Sequence, residues 1–104
     1  MLTRMEELLL LTVWRLQQDA YGLSIRRQVA DLLDRKVSVG AVYIPLERLA
    51  RKGLLTSWES EPTAQRGGRR KRFYKLTPAG MAALNTVKRI HKEAWSGLPN
   101  LALG

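Results

Sequence analysis

The spacing of apolar residues along the chain predicts four helices and one β-hairpin. The first helix spans Thr3 to about Gln17, where no Gly or Pro interrupts apolar residues that recur every three or four positions. Leu10, Leu11 and Trp14 add a second apolar flank to this helix. Because one small core covers a single side of a helix, the second flank predicts contact with another chain.

The segment from residue 19 to residue 53 predicts two helices joined by a short turn. The second helix starts near Asp19 or Ala20 and runs to about Asp34. A third helix begins after Ser38, whose hydroxyl is a typical N-cap, and ends at Gly53, which suits a left-handed C-terminal cap. Its inward face is expected to consist of four apolar residues, Val39, Val42, Leu46 and Leu49.

Pro45 lies inside the third helix and breaks a local rule. Proline has no amide hydrogen, and its ring crowds the carbonyl of the residue four positions earlier, which here is Ala41. We therefore expect a kink in the third helix, or a helix that begins late.

Two short runs with alternating polarity, Leu54 to Glu59 and Arg72 to Leu76, predict an antiparallel hairpin. The pair Gly67-Gly68 in their connection indicates a solvent-facing tip. Thr77-Pro78 then opens a fourth helix, which runs to about Trp95. The chain is therefore expected to be mainly α with a small β-hairpin (α+β), in the order of a winged helix-turn-helix with a C-terminal dimerisation helix.

The charge balance points to a polyanionic partner. The 104 residues include 18 Lys and Arg against 9 Asp and Glu, a formal net charge of +9. No apolar run is long enough to span a membrane and no signal peptide opens the chain, so we expect a cytoplasmic protein without membrane contact.

An enzyme finds little support in the composition. There is no cysteine and a single histidine, no Gly-rich phosphate loop is present, and Glu6, Glu7, Asp31 and Asp34 look like helix-surface carboxylates. We therefore expect no catalytic residues, no metal site and no cofactor.

Two parts of the winged fold are expected to contact double-stranded DNA. The third helix would enter the major groove, with contacts from Ser38, Val39, Gly40, Ala41, Tyr43, Ile44 and Arg48. The wing would follow the backbone or insert an arginine into the minor groove, using Arg66, Gly67, Gly68, Arg69, Arg70, Lys71 and Arg72. Because few of the helix residues seek bases, the wing is expected to supply much of the affinity. The alternatives are a solvated basic turn and a non-specific architectural nucleic-acid-binding protein.

Several ordered motifs resemble one family. They are residues 20–27 (AYGLSIRR), 37–43 (VSVGAVY), 46–49 (LERL), 52–54 (KGL), 67–74 (GGRRKRFY) and 76–80 (LTPAG). Over roughly residues 5 to 85 the chain is similar to the PadR family of transcriptional regulators. The resemblance implies a homodimeric repressor of the compact branch with a single C-terminal helix, and DNA contacts at residues 38–43 and 66–72. Family members often have another residue where Pro45 stands.

The resemblance also bears on domains, dimerisation and effectors. We divide the chain into a DNA-binding domain (1–76), a dimerisation helix that packs with the first helix (77–95) and a flexible tail (96–104). The expected dimer contacts are Leu10, Trp14, Val87, Ile90 and Ala94, whereas Leu9, Leu16 and Leu84 are more typical of a core. Compact relatives of the multidrug-sensing kind hold planar hydrophobic molecules between aromatic side chains, which implies an effector pocket at Trp14 and Trp95. The alternative is that Trp95 packs on the partner's first helix.

Overall fold

A computed structural model describes residues 1–61 and 70–99 of the chain. Four helices, α1 to α4, and two strands, β1 and β2, follow in the predicted order. Their bounds are α1 Arg4–Leu16, α2 Gly22–Leu33, α3 Val39–Arg51, β1 Leu55–Glu59, β2 Arg72–Leu76 and α4 Pro78–Trp95, with a 3₁₀ turn at Gln17–Asp19 after α1. The predicted α+β class is confirmed. No helix in the described ranges is long and apolar enough to cross a membrane.

The start of α1 is fixed by two reciprocal hydrogen bonds. The amide of Glu6 donates to the Thr3 hydroxyl over 3.1 Å, and the amide of Thr3 donates to Oε1 of Glu6 over 2.9 Å. Such a capping box satisfies two amides that a helix end otherwise leaves unpaired.

The α1 helix lies at the centre of the fold, since it contacts α2, α3, α4 and β2. The core around it contains Leu9, Leu10, Val13, Ile25, Val29, Val42, Leu46, Leu49, Leu55, Tyr74 and Leu84.

The start of α2 differs from the prediction. Its first residue is Gly22 rather than one near Asp19 or Ala20. Ala20 and Tyr21 instead lie beside β2, where the carbonyl of Ala20 accepts a hydrogen bond of 2.9 Å from the amide of Tyr74. This pairing requires extended backbone, so the helix can begin only after it. Ser24 then caps the helix by accepting from the Tyr21 amide over 3.0 Å.

The α3 helix is continuous from Val39 to Arg51, so the expected late start is wrong. The Ser38 hydroxyl accepts from the Ala41 amide over 3.2 Å, which confirms the predicted cap. Pro45 is buried, and its ring adds apolar surface to the core. A kink at Pro45 stays a prediction. Val39 was expected to face inward but is 47% exposed, because the buried stripe begins one turn later, at Val42.

The hairpin is antiparallel, with Leu55 opposite Leu76 and Glu59 opposite Arg72. It leads into α4, whose predicted opening is confirmed: the Thr77 hydroxyl accepts from the Gly80 amide over 3.0 Å, and Pro78 is the first helical residue. The predicted tip, including Gly67 and Gly68, lies outside the described residues.

Gly80 is where α4 meets the hairpin most closely, and replacing it tests this packing. A Cβ on Gly80 would overlap the backbone carbonyl of Leu54 and come within 2.7 Å of Leu76 Cδ1. We expect Gly80→Ala to lower the free energy of unfolding by about 1–3 kcal/mol in urea denaturation. Gly40→Ala is the matched control, because its Cβ would meet Ile44 at 3.7 Å and should raise stability by about 0.5 kcal/mol. Equal effects of the two changes would contradict this packing.

Candidate nucleic-acid interface

The N-terminal part of α3 and the preceding Ser38 present an open face. All seven residues predicted to read DNA from this helix are exposed: Ser38, Val39, Gly40, Ala41, Tyr43, Ile44 and Arg48. Ile44 is the most exposed of its apolar members, at 64%. The face exists because Val42, Leu46 and Leu49 direct the opposite side of the helix into the core. An α-helix with one exposed face can enter a major groove, which is about 12 Å wide.

Tyr43 also has a structural contact at the start of α2. A Cβ added to Gly22 would lie 2.6 Å from the Tyr43 hydroxyl oxygen and 2.8 Å from Cζ of its ring. The tyrosine therefore lies directly over this glycine and joins α3 to the first turn of α2. A larger residue at position 22 would displace Tyr43 from the candidate face.

Glu6 was expected on the surface, but it is buried under the C-terminal half of α3. Its Oε2 lies 3.4 Å from Lys52 Nζ and 3.7 Å from Arg48 Nε. The hydrogen bond from the Thr3 amide, followed by the charge of Lys52, holds the pKa of this carboxyl below its usual value, against the effect of burial. Glu6 can be buried because these partners neutralise it. Arg48 is thus oriented by α1.

Glu47 points toward the hairpin, and this contact was not predicted from the sequence. Its Oε1 accepts hydrogen bonds from Arg72 Nε and from the Tyr74 hydroxyl, both over 3.2 Å. Burial, followed by the negative charge of Glu47, raises the pKa of Tyr74 to about 12. The Tyr74 hydroxyl therefore stays protonated near neutral pH and remains a donor. Through these bonds the base of the wing lies alongside α3.

The described cations of the wing are all held by other groups of the chain. Arg70 and Arg72 each lie 3.7 Å from a carboxylate oxygen of Glu59, and Lys71 Nζ lies 4.0 Å from the ring centroid of Tyr21. The wing base is therefore an organised part of the structure. Exposed ion pairs of this kind contribute about 1 kcal/mol or less, so phosphates can replace them. The other predicted wing residues, Arg66, Gly67, Gly68 and Arg69, lie outside the described residues.

Three aromatic side chains support the wing base. Phe73 stacks on Trp58 with ring centroids 6.0 Å apart and an interplanar angle of 15°, and it contacts Tyr21 at 5.6 Å. No functional role was predicted for these residues from the sequence. The sequence pattern places Trp58 and Phe73 on neighbouring strands. It does not show that Tyr21 joins them, because that contact depends on the bridge between Tyr21 and β2.

The residues predicted for the dimer interface divide into two groups. Leu10 is fully buried in the core of its own chain, so its assignment to the interface is wrong. The reason is that α1 is covered by several elements rather than by one. Val87 is also nearly buried, whereas Ile90 is half-buried and Ala94 and Trp14 are exposed. Leu11, at 43% exposure, adds to the open part of α1.

Trp14 and Trp95 do not form a pocket within one chain. His91 Nε2 lies 3.5 Å from Glu7 Oε2, so the end of α4 is beside the beginning of α1. Leu76, just before α4, borders the same groove as Trp14, near the end of α1. The two helices therefore run in opposite directions, with Trp14 and Trp95 at opposite ends. The predicted effector pocket at Trp14 and Trp95 therefore stays a prediction that requires a second copy of the chain.

Comparison with protein families agrees with the fold. Residues 10–86, well over half of the chain, match the transcriptional regulator PadR-like family. The chain belongs to the PadR-like family. It is therefore a DNA-binding transcriptional regulator rather than an enzyme.

Solved structures support the assignment. A PadR family transcription regulator from hypervirulent Clostridium difficile R20291 has a TM-score of 0.67 at 27% identity, covering 89% of this chain and 95% of its own. A PadR-like transcription factor from Bacteroides fragilis has a TM-score of 0.68 at 28% identity, covering 88% and 85%. H. salinarum RosR shares the fold, with a TM-score of 0.70 at 23% identity and coverage of 94% and 81%. No curated protein gives a significant match by sequence.

The buried Glu6 should make stability depend on acid pH. Because its pKa is lowered in the folded state, its contribution is complete above the usual value of 4.5 and is lost as the pH falls below that value. We expect Glu6→Gln to lower the free energy of unfolding by about 1–3 kcal/mol at neutral pH and to flatten its decline in acid, measured by urea denaturation across the pH range. Glu93→Gln, an exposed change on α4, is the control. Parallel pH curves for Glu6→Gln and the unmodified chain would contradict the assignment.

The bond between Tyr74 and Glu47 can be tested by removing one oxygen. We expect Tyr74→Phe to lower the free energy of unfolding by about 1 kcal/mol, because the Glu47 carboxylate loses a buried donor. Tyr43→Phe is the matched control, since within residues 1–61 and 70–99 its hydroxyl makes no hydrogen bond. Urea denaturation of both variants provides the comparison, and an unchanged Tyr74→Phe would show that the bond does not fix the hairpin.

Proposed function

We propose that this chain is a homodimeric repressor that binds a palindromic operator and releases it on a small-molecule or stress signal. The observation that carries the proposal is the contact of 3.2 Å between Arg72 and Glu47. It joins the base of the wing, residues 70–72, to α3, which is the proposed reader helix. This contact supports the proposal that one surface includes the exposed face of α3 and the described wing cations. A duplex can contact both parts at once.

The proposed DNA contacts are those predicted from the sequence. In this proposal residues 1–76 form the DNA-binding domain, α3 enters the major groove with Ser38 to Ile44 and with Arg48, and residues 66–72 follow the backbone or the minor groove. The exposure of the α3 residues supports this assignment. Operator binding requires the regulator to be in the compartment that holds the chromosome, so we propose that it is cytoplasmic.

Dimerisation is proposed through α1 and α4. Leu11, Trp14 and Trp95 are large apolar residues that the single chain leaves exposed, and Ile90 and Ala94 share α4 with Trp95. Covering this surface with a second copy would remove it from water. A two-fold axis would also set two α3 helices about 34 Å apart, one turn of DNA. In this division residues 77–95 are the dimerisation helix and 96–104 the tail.

Release of the operator is proposed to involve a planar hydrophobic effector at Trp95. The indole is 57% exposed near the end of α4, where an effector could stack on it. Within one chain, Trp95 lies beside the beginning of α1 and Trp14 lies near its end. Both indoles can therefore contact one effector only across the dimer. In the alternative, Trp95 packs on the partner's first helix. The partner then covers this apolar surface, and no effector is needed to explain it.

The repressor proposal is tested by identifying the DNA that the chain binds. Fragments recovered from cells of the source organism define an operator, and fluorescence anisotropy then compares this operator with a scrambled duplex across a salt series. We expect operator affinity to exceed scrambled affinity by at least about a thousandfold. Equal affinity at every salt concentration would overturn the proposal in favour of the architectural alternative.

The role of the wing needs a charge-matched comparison. Replacing Arg69 and Arg70 by Ala is expected to weaken operator binding and to reduce the slope of log affinity against log salt by about one to two, because each neutralised phosphate contributes about 0.9. Replacing Lys88 and Arg89 by Ala removes the same charge from the exposed side of α4 and should leave the slope unchanged. The same slope in both variants would place the wing away from the backbone.

A further inference from the structure

Glu47 lies on the side of α3 that is proposed to enter the major groove. Because an α-helix has 3.6 residues per turn, positions three apart lie nearly above one another, so Glu47 shares this side with the exposed Ile44. The core contacts of the helix are made on its other side, by Val42, Leu46 and Leu49. The Glu47 side chain is 47% exposed. A carboxylate therefore lies near the middle of the open face.

Two donors from the hairpin hold the Glu47 carboxylate in one position. Arg72 Nε and the Tyr74 hydroxyl both donate to its Oε1, each over 3.2 Å. Among the hydrogen bonds within residues 1–61 and 70–99, none ends on Oε2. The second oxygen can therefore accept a hydrogen bond from another molecule. Because the side chain is already ordered, it loses little conformational entropy when it does so.

Arg72 also offsets the repulsion that a carboxylate meets in a DNA groove. The two strands line the major groove with phosphates, whose negative charges repel an unpaired carboxylate. Glu47 is not unpaired, because Arg72 Nε lies 3.2 Å from its Oε1. The same guanidinium lies 3.7 Å from Glu59 through Nη1, which keeps it beside the hairpin. Glu47 can therefore approach DNA as one half of an ion pair.

A group that only accepts hydrogen bonds distinguishes the four bases by their major-groove edges. A carboxylate is such a group. Guanine presents the acceptors N7 and O6, and thymine presents the acceptor O4 and a methyl group, so neither base can donate to a carboxylate. Adenine has a donor amine at N6, but the acceptor N7 lies beside it. Cytosine presents the N4 amine without that acceptor, so it is the base that a carboxylate suits best.

We propose that Glu47 reads a cytosine in each half of the operator, with Oε2 accepting a hydrogen bond from the N4 amine of the base. The assignment rests on the proposed repressor function, because it names a base contact made by the same DNA-binding surface. Arg72 and Tyr74 act here as positioning residues, since they orient the carboxylate from the hairpin. The wing thereby influences which base α3 selects.

The test compares the base preferences of the full chain and of Glu47→Gln, by selection from a library of random duplexes followed by sequencing. We expect the unmodified chain to select a two-fold symmetric motif with a cytosine at one position of each half. In Glu47→Gln this preference should change to adenine, because a carboxamide accepts from N6 and donates to N7. The other positions of the motif should stay the same.

Glu59→Gln is the matched control. It removes a carboxylate that also pairs with Arg72, but from β1 rather than from the open face of α3. We expect Glu59→Gln to select the same motif as the unmodified chain. An unchanged motif in Glu47→Gln would overturn the base contact. An equal change of preference in both variants would also overturn it, because the common factor would then be Arg72.

Fluorescence anisotropy on the selected duplex separates base reading from attachment of the hairpin. Replacing the cytosine by thymine in both halves should weaken binding of the unmodified chain about tenfold and that of Glu47→Gln less than about twofold. A uniform loss of affinity for both duplexes in Glu47→Gln would mean that Glu47 only holds the hairpin, and would overturn the proposal. Circular dichroism verifies folding. If Glu47→Gln unfolds, Glu47→Ala replaces it, and no base should then be preferred at that position.

The selection also separates this inference from the proposed function. If the unmodified chain enriches no motif, the repressor proposal fails, and the base contact fails with it. If the chain enriches a symmetric motif in which no cytosine depends on Glu47, the repressor proposal stands and only the base contact is overturned.

Discussion

Tyr74 attaches the hairpin to the helical core through both its backbone and its side chain. Its amide donates to the Ala20 carbonyl, and its hydroxyl donates to Glu47 on α3. A hairpin of two strands is at best marginally stable alone, so its position depends on such attachments. The same residue therefore fixes the sheet, the start of α2 and the distance between wing and reader helix. Together with the contact between Arg72 and Glu47, it holds the two candidate DNA-contacting parts next to each other.

Local signals in the sequence were sufficient for most element boundaries. Ser38 and Thr77-Pro78 carry their own capping groups, so the starts of α3 and α4 follow from a few neighbouring residues. The start of α2 was misplaced because Ala20 pairs with a strand more than fifty residues later in the chain. Helical spacing contains no information about that distant partner. The fold was thus predictable where the determining hydrogen bonds are local.

The candidate site shows the same division between local and distant information. The exposed side of α3 was predictable because it is the complement of the buried stripe from Val42 to Leu49. Glu6 and Leu10 were misassigned because α1 contacts α2, α3, α4 and β2, so its buried arc is wider than one stripe. The groove between the end of α1 and the hairpin was missed for a related reason. Its lining comes from residues 13–18 and from both strands, and the pattern along α1 contains no information about the strands beside it.

The pairing of the wing cations suggests how specificity can arise with a reader helix that has few base-seeking side chains. Arg70 and Arg72 share Glu59 in the free chain, and Arg72 also binds Glu47. A DNA phosphate that binds these cations must first replace the carboxylates, and each exposed ion pair costs little free energy to break. This cost nevertheless lowers the affinity for a duplex that contacts only some of the cations. When several phosphates are neutralised together, the release of their counterions raises the affinity again. Strong binding then requires the wing and α3 to be engaged at once, so the shape of the DNA becomes part of what is recognised.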